Sequence, residues 1–80
     1  YEMKLSNGAH PLMWHVRRTN PDDGLVPFVG HVVAETYFGH HPYVTWAACS
    51  DDGEMFSCAH GAYCMTVDEA MQNFHKRVNA

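Results

Sequence analysis

The sequence predicts an α+β fold, an antiparallel β-meander of about four strands with one C-terminal helix packed on one face. Several short segments rich in valine and aromatic residues alternate apolar with polar side chains, as half-buried strands do. Clusters of Pro, Gly, Asn and Asp separate these segments, and the C-terminal segment repeats apolar side chains at helical spacing. With 80 residues the chain is expected to form one small globular domain, in which Met3 is the natural start and Tyr1 and Glu2 are additions.

The strand predictions follow the alternation between turn signals. The predicted strands lie at residues 11–18, within residues 25–38, at residues 43–49 and at residues 55–58. In the second of these segments, Pro27 and Gly30 predict an edge, a bulge or a bend. One face of that segment carries Phe28, Val32, Ala34 and Phe38, and the other carries Val29, His31, Val33, Glu35 and Tyr37.

The C-terminal helix is predicted from Val67 to Asn79, with Thr66 as its N-cap. Residues 66–69 (TVDE) match a capping box, in which the Thr66 hydroxyl accepts a hydrogen bond from a first-turn N–H and Glu69 reaches back. The apolar side chains that recur at helical spacing are those of Val67, Ala70, Met71, Phe74 and Val78. This apolar face needs a sheet to cover, and the preceding strands supply one.

The charge balance disfavours nucleic acid as a direct ligand. Nine Asp and Glu oppose five Lys and Arg, which gives a net charge of −4, whereas proteins bind phosphate backbones mainly through Lys and Arg. Most of the acids form three groups, which are Asp22 with Asp23, Asp51 with Asp52 and Glu54, and Asp68 with Glu69. Such groups are typical of turns and helix starts, and they are also typical of a surface presented to a basic partner.

The sequence also indicates the cellular compartment in which the protein is expected. No apolar run reaches the ~18 residues of a membrane span, and no charged and then apolar segment resembles a signal peptide. An odd number of cysteines without secretory signals fits a reducing environment. We therefore expect a cytoplasmic protein with reduced thiols and no membrane partner.

Residues 49–64 (CSDDGEMFSCAHGAYC) contain all three cysteines. The Asp-Asp-Gly run at residues 51–53 predicts a hairpin turn that places Cys49 and Cys58 on paired strands. A two-residue loop would place these cysteines diagonally on one face, too far apart for a disulfide. A three-residue loop would place them on opposite faces. Neither register brings the two sulfur atoms easily to one metal ion.

Two alternative functions use this segment chemically. Cys58, His60 and Cys64 are spaced to supply three ligands of a zinc-stabilised domain, with a fourth from Cys49 or from the histidines at residues 40–41. A thiol enzyme is the second alternative, because Cys64 lies near the start of the predicted helix, which lowers a thiol pKa, and His60 is close in sequence. No third catalytic member or oxyanion device is visible, so we expect a protein that is not an enzyme and that uses no metal or cofactor.

Seven histidines are unusual in a chain of 80 residues. Protonating all seven would raise the net charge from −4 by seven, to +3, so the behaviour of the protein should depend on pH near the histidine pKa of ~6.5. His15 and His31 alternate with apolar residues and are expected on the second face of the sheet. Histidines without a dedicated role, a metal cluster and a pH switch are all compatible with this composition.

A binding module is the remaining interpretation. One helix covers only one face of the sheet, so the residues of the other face either contact a partner or form a second small core closed by residues 1–10. That face, or an edge strand, is also a candidate for homodimerisation. The residues expected to bind a larger protein or nucleoprotein complex with a basic surface are Asp22, Asp23, Glu35, Tyr37, Tyr43, Asp51, Asp52 and Glu54.

A compact acidic chain of this length, built as a sheet plus a helix and without a catalytic set, resembles the small phage-encoded anti-CRISPR inhibitors. The resemblance spans the whole chain and is one of type, with no shared residue motif. It implies inhibition of a CRISPR effector by steric or charge-mimicking occupation of its DNA-binding surface, in the cytoplasm of a bacterial host. Under this resemblance, the acids at residues 22–23 and 51–54 are expected to meet basic side chains of the effector.

Overall fold

The fold is a curled, mixed five-stranded sheet with one C-terminal helix. The structure is a computed structural model, and it describes residues 3–20, 22, 26–36 and 41–79. The strands and the helix are β1 (Lys4–Leu5), β2 (His10–Arg18), β3 (Phe28–Glu35), β4 (Tyr43–Ser50), β5 (Met55–Cys64) and α1 (Val67–Val78). The sheet order is β1-β5-β4-β3-β2; β1 is parallel to β5, and all other neighbours are antiparallel.

The predicted α+β class is confirmed, and the prediction of four antiparallel strands describes β2 to β5. It missed β1, because two residues carry no alternation that a sequence pattern reveals. This strand adds a parallel edge to β5, with Lys4 opposite Met55, so the sheet is mixed rather than an antiparallel meander. Strand β5 also runs six residues past the predicted end, which was placed at Cys58.

The curl of the sheet follows from the short connection between β1 and β2, which lie at opposite edges. In a flat sheet, four strand spacings of about 4.8 Å would separate them by roughly 19 Å. The five Cα steps from Leu5 to His10 reach at most about 18 Å when fully extended. This connection is not extended, because Gly8 has φ +81° and its N–H bonds to the Leu5 carbonyl at 3.1 Å. The sheet must therefore curl until its two edges approach each other.

The curl buries one face of the sheet around the N-terminal residues. Met3 and Phe56 are almost fully buried there, and Leu5 and Trp46 retain at most 6% of their exposure. The same cluster includes Ala9, Val32, Ala34, Val44 and Ala48, with Trp14, Val16, Phe28 and Cys58 packed against it. Of the two outcomes predicted for the face without a helix, the structure shows the second core closed by the N-terminal segment.

Helix α1 covers part of the opposite face and agrees with the prediction. Thr66 is the N-cap, and its hydroxyl accepts a hydrogen bond from the Glu69 N–H at 3.2 Å. Ala70 and Phe74 are buried against Val33, and the buried Thr45 hydroxyl donates to the Ala70 carbonyl at 2.8 Å. These contacts fix the helix over one end of β3, β4 and β5. Within the described ranges, no helix has the length and apolar character needed to cross a membrane.

A bulge in β5 changes which face its residues occupy. Ala47 pairs with Ala59 and Thr45 pairs with Ala62, so β5 has one residue more than β4 between these two pairs. His60 lies at this bulge with φ 53°, in the left-handed region. The alternation of β5 side chains between the two faces of the sheet therefore shifts by one residue at the bulge.

Candidate functional site

The acidic turns predicted from the sequence lie at one end of the sheet. Phe28, which begins β3, pairs with Ser50, which ends β4, so the β2–β3 loop and the β4–β5 turn leave the same end. Val26 of the loop lines one surface cavity together with residues of the turn. We call the exposed side chains here the acidic end: Asp22, Asp51, Asp52 and Glu54.

Asp52 has a structural role within the acidic end. Its Oδ1 accepts hydrogen bonds from the Glu54 N–H at 2.8 Å, the Ser50 hydroxyl at 2.9 Å and the Met55 N–H at 3.2 Å. These bonds hold the pKa of the Asp52 carboxyl below its usual value. The bond from the Glu54 N–H has the largest effect, and the bond from the Ser50 hydroxyl the second largest. The carboxylate therefore stabilises the turn, as Asp commonly does. Asp51 and Glu54 remain as the acids that project charge from this turn.

Two other predicted contact residues lie at the opposite end of the sheet. Glu35 and Tyr43 face each other across β3 and β4, roughly 23 Å along β3 from Phe28 at about 3.3 Å per residue. Tyr43 is half-buried and packs against the cluster beneath α1. Asp23 and Tyr37 lie outside the described residues. The predicted partner-binding residues that the structure describes thus do not form one continuous surface.

The helix partly covers the face of β3 that carries His31 and Val33. Val33 is fully buried beneath α1. The part of this face beyond the end of the helix is uncovered. A groove of about 570 Å³ lies there between the sheet and the C-terminal turn of α1.

Five histidine and arginine side chains line this groove, from four different elements. They are His15 and Arg17 of β2, His31 of β3, His60 of β5 and Arg77 of α1, which together we call the histidine–arginine groove. Small apolar residues, including Ala47 and Ala59, contribute between them. The groove is therefore a locally basic surface on a chain whose net charge is −4.

Two observations describe the electrostatics of the groove. The Arg77 Nη2 donates a hydrogen bond to the His60 carbonyl at 2.8 Å, which holds the guanidinium above β5. Partial burial lowers the pKa of His31 below its ordinary value, and the nearby Arg77 and His15 lower it further. The protonated forms of these groups therefore repel one another at close range.

The zinc alternative is not supported by the placement of its ligands. Cys58 pairs with Ala48 and packs against the core around Met3, whereas Cys64 pairs with Tyr43 and packs beneath the helix. The bulge at His60 lies between them, so the two sulfur atoms point to opposite faces of the sheet. In the part of the chain that the structure describes, no three His, Cys, Asp or Glu residues are grouped to hold a metal ion.

The hairpin registers predicted for Cys49 and Cys58 are both wrong in detail. Cys49 pairs with Ser57, which corresponds to a longer turn than either register assumed. The two cysteines nevertheless lie on opposite faces, as the three-residue loop would have placed them. Burial, with a smaller effect from Cys49, raises the pKa of the Cys58 thiol to about 11. All three cysteines are free thiols.

Cys64 does not have the surroundings of an activated thiol. It is buried, and its Sγ donates to the Ala62 carbonyl at 3.5 Å. Burial and then the nearby Glu69 carboxylate raise the pKa of the Cys64 thiol, against a smaller opposing effect of Arg77. The sequence predicted the opposite direction from the helix N-terminus. The thiolate required of a nucleophile is thus disfavoured.

The histidine–arginine groove was only partly visible in the sequence. The alternation in β2 and β3 placed His15 and His31 on one face, and Arg17 belongs to the same pattern. His60 and Arg77 were missed, because their positions depend on the bulge in β5 and on where the helix ends over the sheet. Comparison with known proteins adds nothing to this geometry, since no protein-family model, curated protein or solved structure matches the chain.

Proposed function

We propose that this protein is a non-enzymatic binding protein whose acidic end contacts a basic surface on a larger protein or nucleoprotein complex. The observation that supports the proposal is the convergence of two acidic turns that are separated by roughly thirty residues. The register of β3 and β4 brings Asp22 to the same end as Asp51 and Glu54. All three side chains are exposed there.

The physical role of these acids is to guide encounter. Exposed charges of one sign attract a basic partner over about a Debye length and mainly increase the association rate. Such residues contribute little to the stability of the fold, since exposed charges typically affect stability by less than about 1 kcal/mol. Asp52 is the exception, because its carboxylate holds the turn.

The most specific form of the proposal is an anti-CRISPR-like inhibitor that blocks DNA binding by a CRISPR effector. Small size, net negative charge and the acidic end support this form, since an acidic surface competes with DNA phosphates for the same Lys and Arg side chains. The three free cysteines fit a protein of the reducing cytoplasm. DNA binding by candidate CRISPR effectors, measured with and without the protein, tests this form directly.

Partner capture from a bacterial lysate tests the general proposal. The immobilised protein is compared with a variant that carries Asp51→Lys and Glu54→Lys, and captured proteins are identified by mass spectrometry. The matched control carries Glu35→Lys and Asp68→Lys, which lie at the other end of the sheet. Each reversal adds two charges, so both variants change the net charge from −4 to 0.

The proposal predicts a partner that the wild type and the control variant capture and that the acidic-end variant captures poorly. Circular dichroism and thermal unfolding of all three proteins establish that the fold is retained. Equal loss in both variants would indicate a dependence on net charge alone and would contradict a role for the acidic end. Equal capture by all three proteins would contradict it as well.

A further inference from the structure

We propose that the histidine–arginine groove is a second site, which binds a small organic anion with a flat apolar body. This inference concerns the side chains of His15, Arg17, His31, His60 and Arg77, and it does not depend on the acidic end. The ligand class is defined by chemistry, as a carboxylate, sulfonate or phosphate group attached to a planar ring.

The charge of the groove is the first part of the argument. Only five Lys and Arg occur in the chain, and two of them line this one groove. No carboxylate is among the described residues that line it, although the chain is acidic overall. Arg77 is held in place by the His60 carbonyl, and a guanidinium has five N–H donors, of which this bond uses one. The groove therefore offers a fixed cation to an anion.

The shape of the groove is the second part. Its volume of about 570 Å³ lies within the range of about 300–1,000 Å³ typical of small-molecule sites. Val29, Ala47 and Ala59 line it with short apolar side chains, so a flat group can lie against the sheet between the cationic residues. A few charged groups beside an apolar surface are a common arrangement in ligand sites, because the polar groups orient the ligand.

The histidines make the site sensitive to pH. The titratable and charged groups facing the groove are His15 and Arg17 from β2, His31 from β3, Cys49 from β4, His60 from β5 and Arg77 from α1. An anion bound among them favours the protonated histidines, so it should bind more tightly as the pH falls. If binding raises the pKa of one histidine by about one unit, the affinity rises about tenfold on full protonation.

Protein NMR with a model anion tests this proposal. Benzenesulfonate is the probe, because its charge is constant across the histidine titration range, and neutral benzenesulfonamide is the matched control of similar shape. The ring protons of His15, His31 and His60 are followed during titrations at about pH 7.5 and about pH 5.5, on either side of the ordinary histidine pKa. His10 and His75 lie outside the groove and serve as internal references.

The chain provides a matched pair of variants in neighbouring residues. Arg17 lines the groove, whereas the next residue, Arg18, stacks over the Phe28 ring on the other face. Both are exposed, so neither replacement removes buried contacts. Arg17→Gln should weaken benzenesulfonate binding by about two- to fivefold, the range for one exposed charge pair. Arg18→Gln should leave the affinity unchanged.

The expected result is a saturable shift of the three groove histidines by benzenesulfonate, stronger at the lower pH, weakened by Arg17→Gln and absent with the sulfonamide. Absence of a saturable shift in the millimolar range would overturn the proposal. So would equal binding of the neutral sulfonamide, or equal weakening by the two arginine variants. None of these results depends on a protein partner, so failure here is distinct from failure of the acidic-end proposal.

Discussion

Replacing Phe56 with alanine tests the claim that the N-terminal segment closes a second core. Phe56 is fully buried on the face away from the helix, in one cluster with Met3 and Leu5. Deleting a buried phenylalanine ring typically costs about 3–5 kcal/mol, because apolar burial is lost and a cavity remains. If this face were open, as the sequence allowed, the ring would be exposed and its removal would cost below about 1 kcal/mol.

The size of the effect follows from the size of the domain. A chain of 80 residues has a free energy of unfolding of about 4–12 kcal/mol at ~0.05–0.15 kcal/mol per residue. A loss of about 3 kcal/mol lowers the Tm of such a domain by about 12 °C or more. Circular dichroism during thermal and urea unfolding measures both quantities. Phe74→Ala, which removes the ring beneath the helix, should have a cost of the same order.

Tyr63→Ala is the control on the same strand. Tyr63 keeps 60% of its exposure, so its removal should change the Tm little. If Phe56→Ala behaved like Tyr63→Ala while Phe74→Ala unfolded the protein, the second core would be refuted. The interpretation of the curled sheet would then fail with it.

Three further predictions test the helix cap, the thiols and one histidine. Thr66→Ala should cost about 1 kcal/mol in urea unfolding by removing the acceptor for a helix N–H, whereas Thr66→Ser should cost little, and equal costs would contradict the cap. Iodoacetamide should label Cys49 faster than Cys58, whose thiol pKa is raised to about 11, and faster than the buried Cys64, as measured by peptide mass spectrometry. Fastest labelling of Cys64 would contradict the structure. Because the pKa of His31 is lowered in the folded protein, His31 becomes protonated at a higher pH in the unfolded chain than in the folded protein. The free energy of unfolding should therefore fall as the pH decreases below about 6.5. His31→Gln should reduce that decline, and an NMR titration placing the His31 pKa above its ordinary value would contradict the sign.

The sequence predicted the elements whose signals are local. The helix was placed to within one residue, because the Thr66 cap and the apolar spacing act within a few turns of chain. The two faces of β3 were also separated correctly, with Val32 and Ala34 in one core and Val33 in the other. Alternation alone settles such assignments, since successive side chains of a strand point to opposite faces.

The elements that depend on distant contacts could not be predicted. Strand β1 exists only because residues 4–5 pair with β5, more than fifty residues later. The same pairing curls the sheet and covers the face that the helix leaves free. The bulge at His60 separates Cys58 from Cys64 and brings His60 into the groove. Gly61 beside it is a bulge signal, but the strand was predicted to end at Cys58, before this glycine. The packing of Tyr43 beneath the helix was not predicted, because the position of the helix over the sheet was unknown.

The geometry of the acidic end was predicted in part. The turn formers at residues 51–53 indicated a hairpin, and the convergence of this turn with the acidic β2–β3 loop follows from the register. Sequence alone does not separate a turn-stabilising acid from a projecting one. The three hydrogen bonds to Asp52 make that distinction, and they are the reason that the charge-reversal variant leaves this residue unchanged.

The association rate of the captured partner tests the central claim, that the acidic end attracts a basic partner. Stopped-flow or surface-based kinetics would compare the wild type with the Asp51→Lys, Glu54→Lys variant at low and high salt. The Debye length falls from about 10 Å at 0.1 M to about 3 Å at 1 M salt, so screening removes attraction between exposed charges. We predict that salt slows association of the wild type markedly, and that the variant associates more slowly at low salt with a weaker salt dependence. An association rate and a salt dependence that are the same in both proteins would contradict the claim.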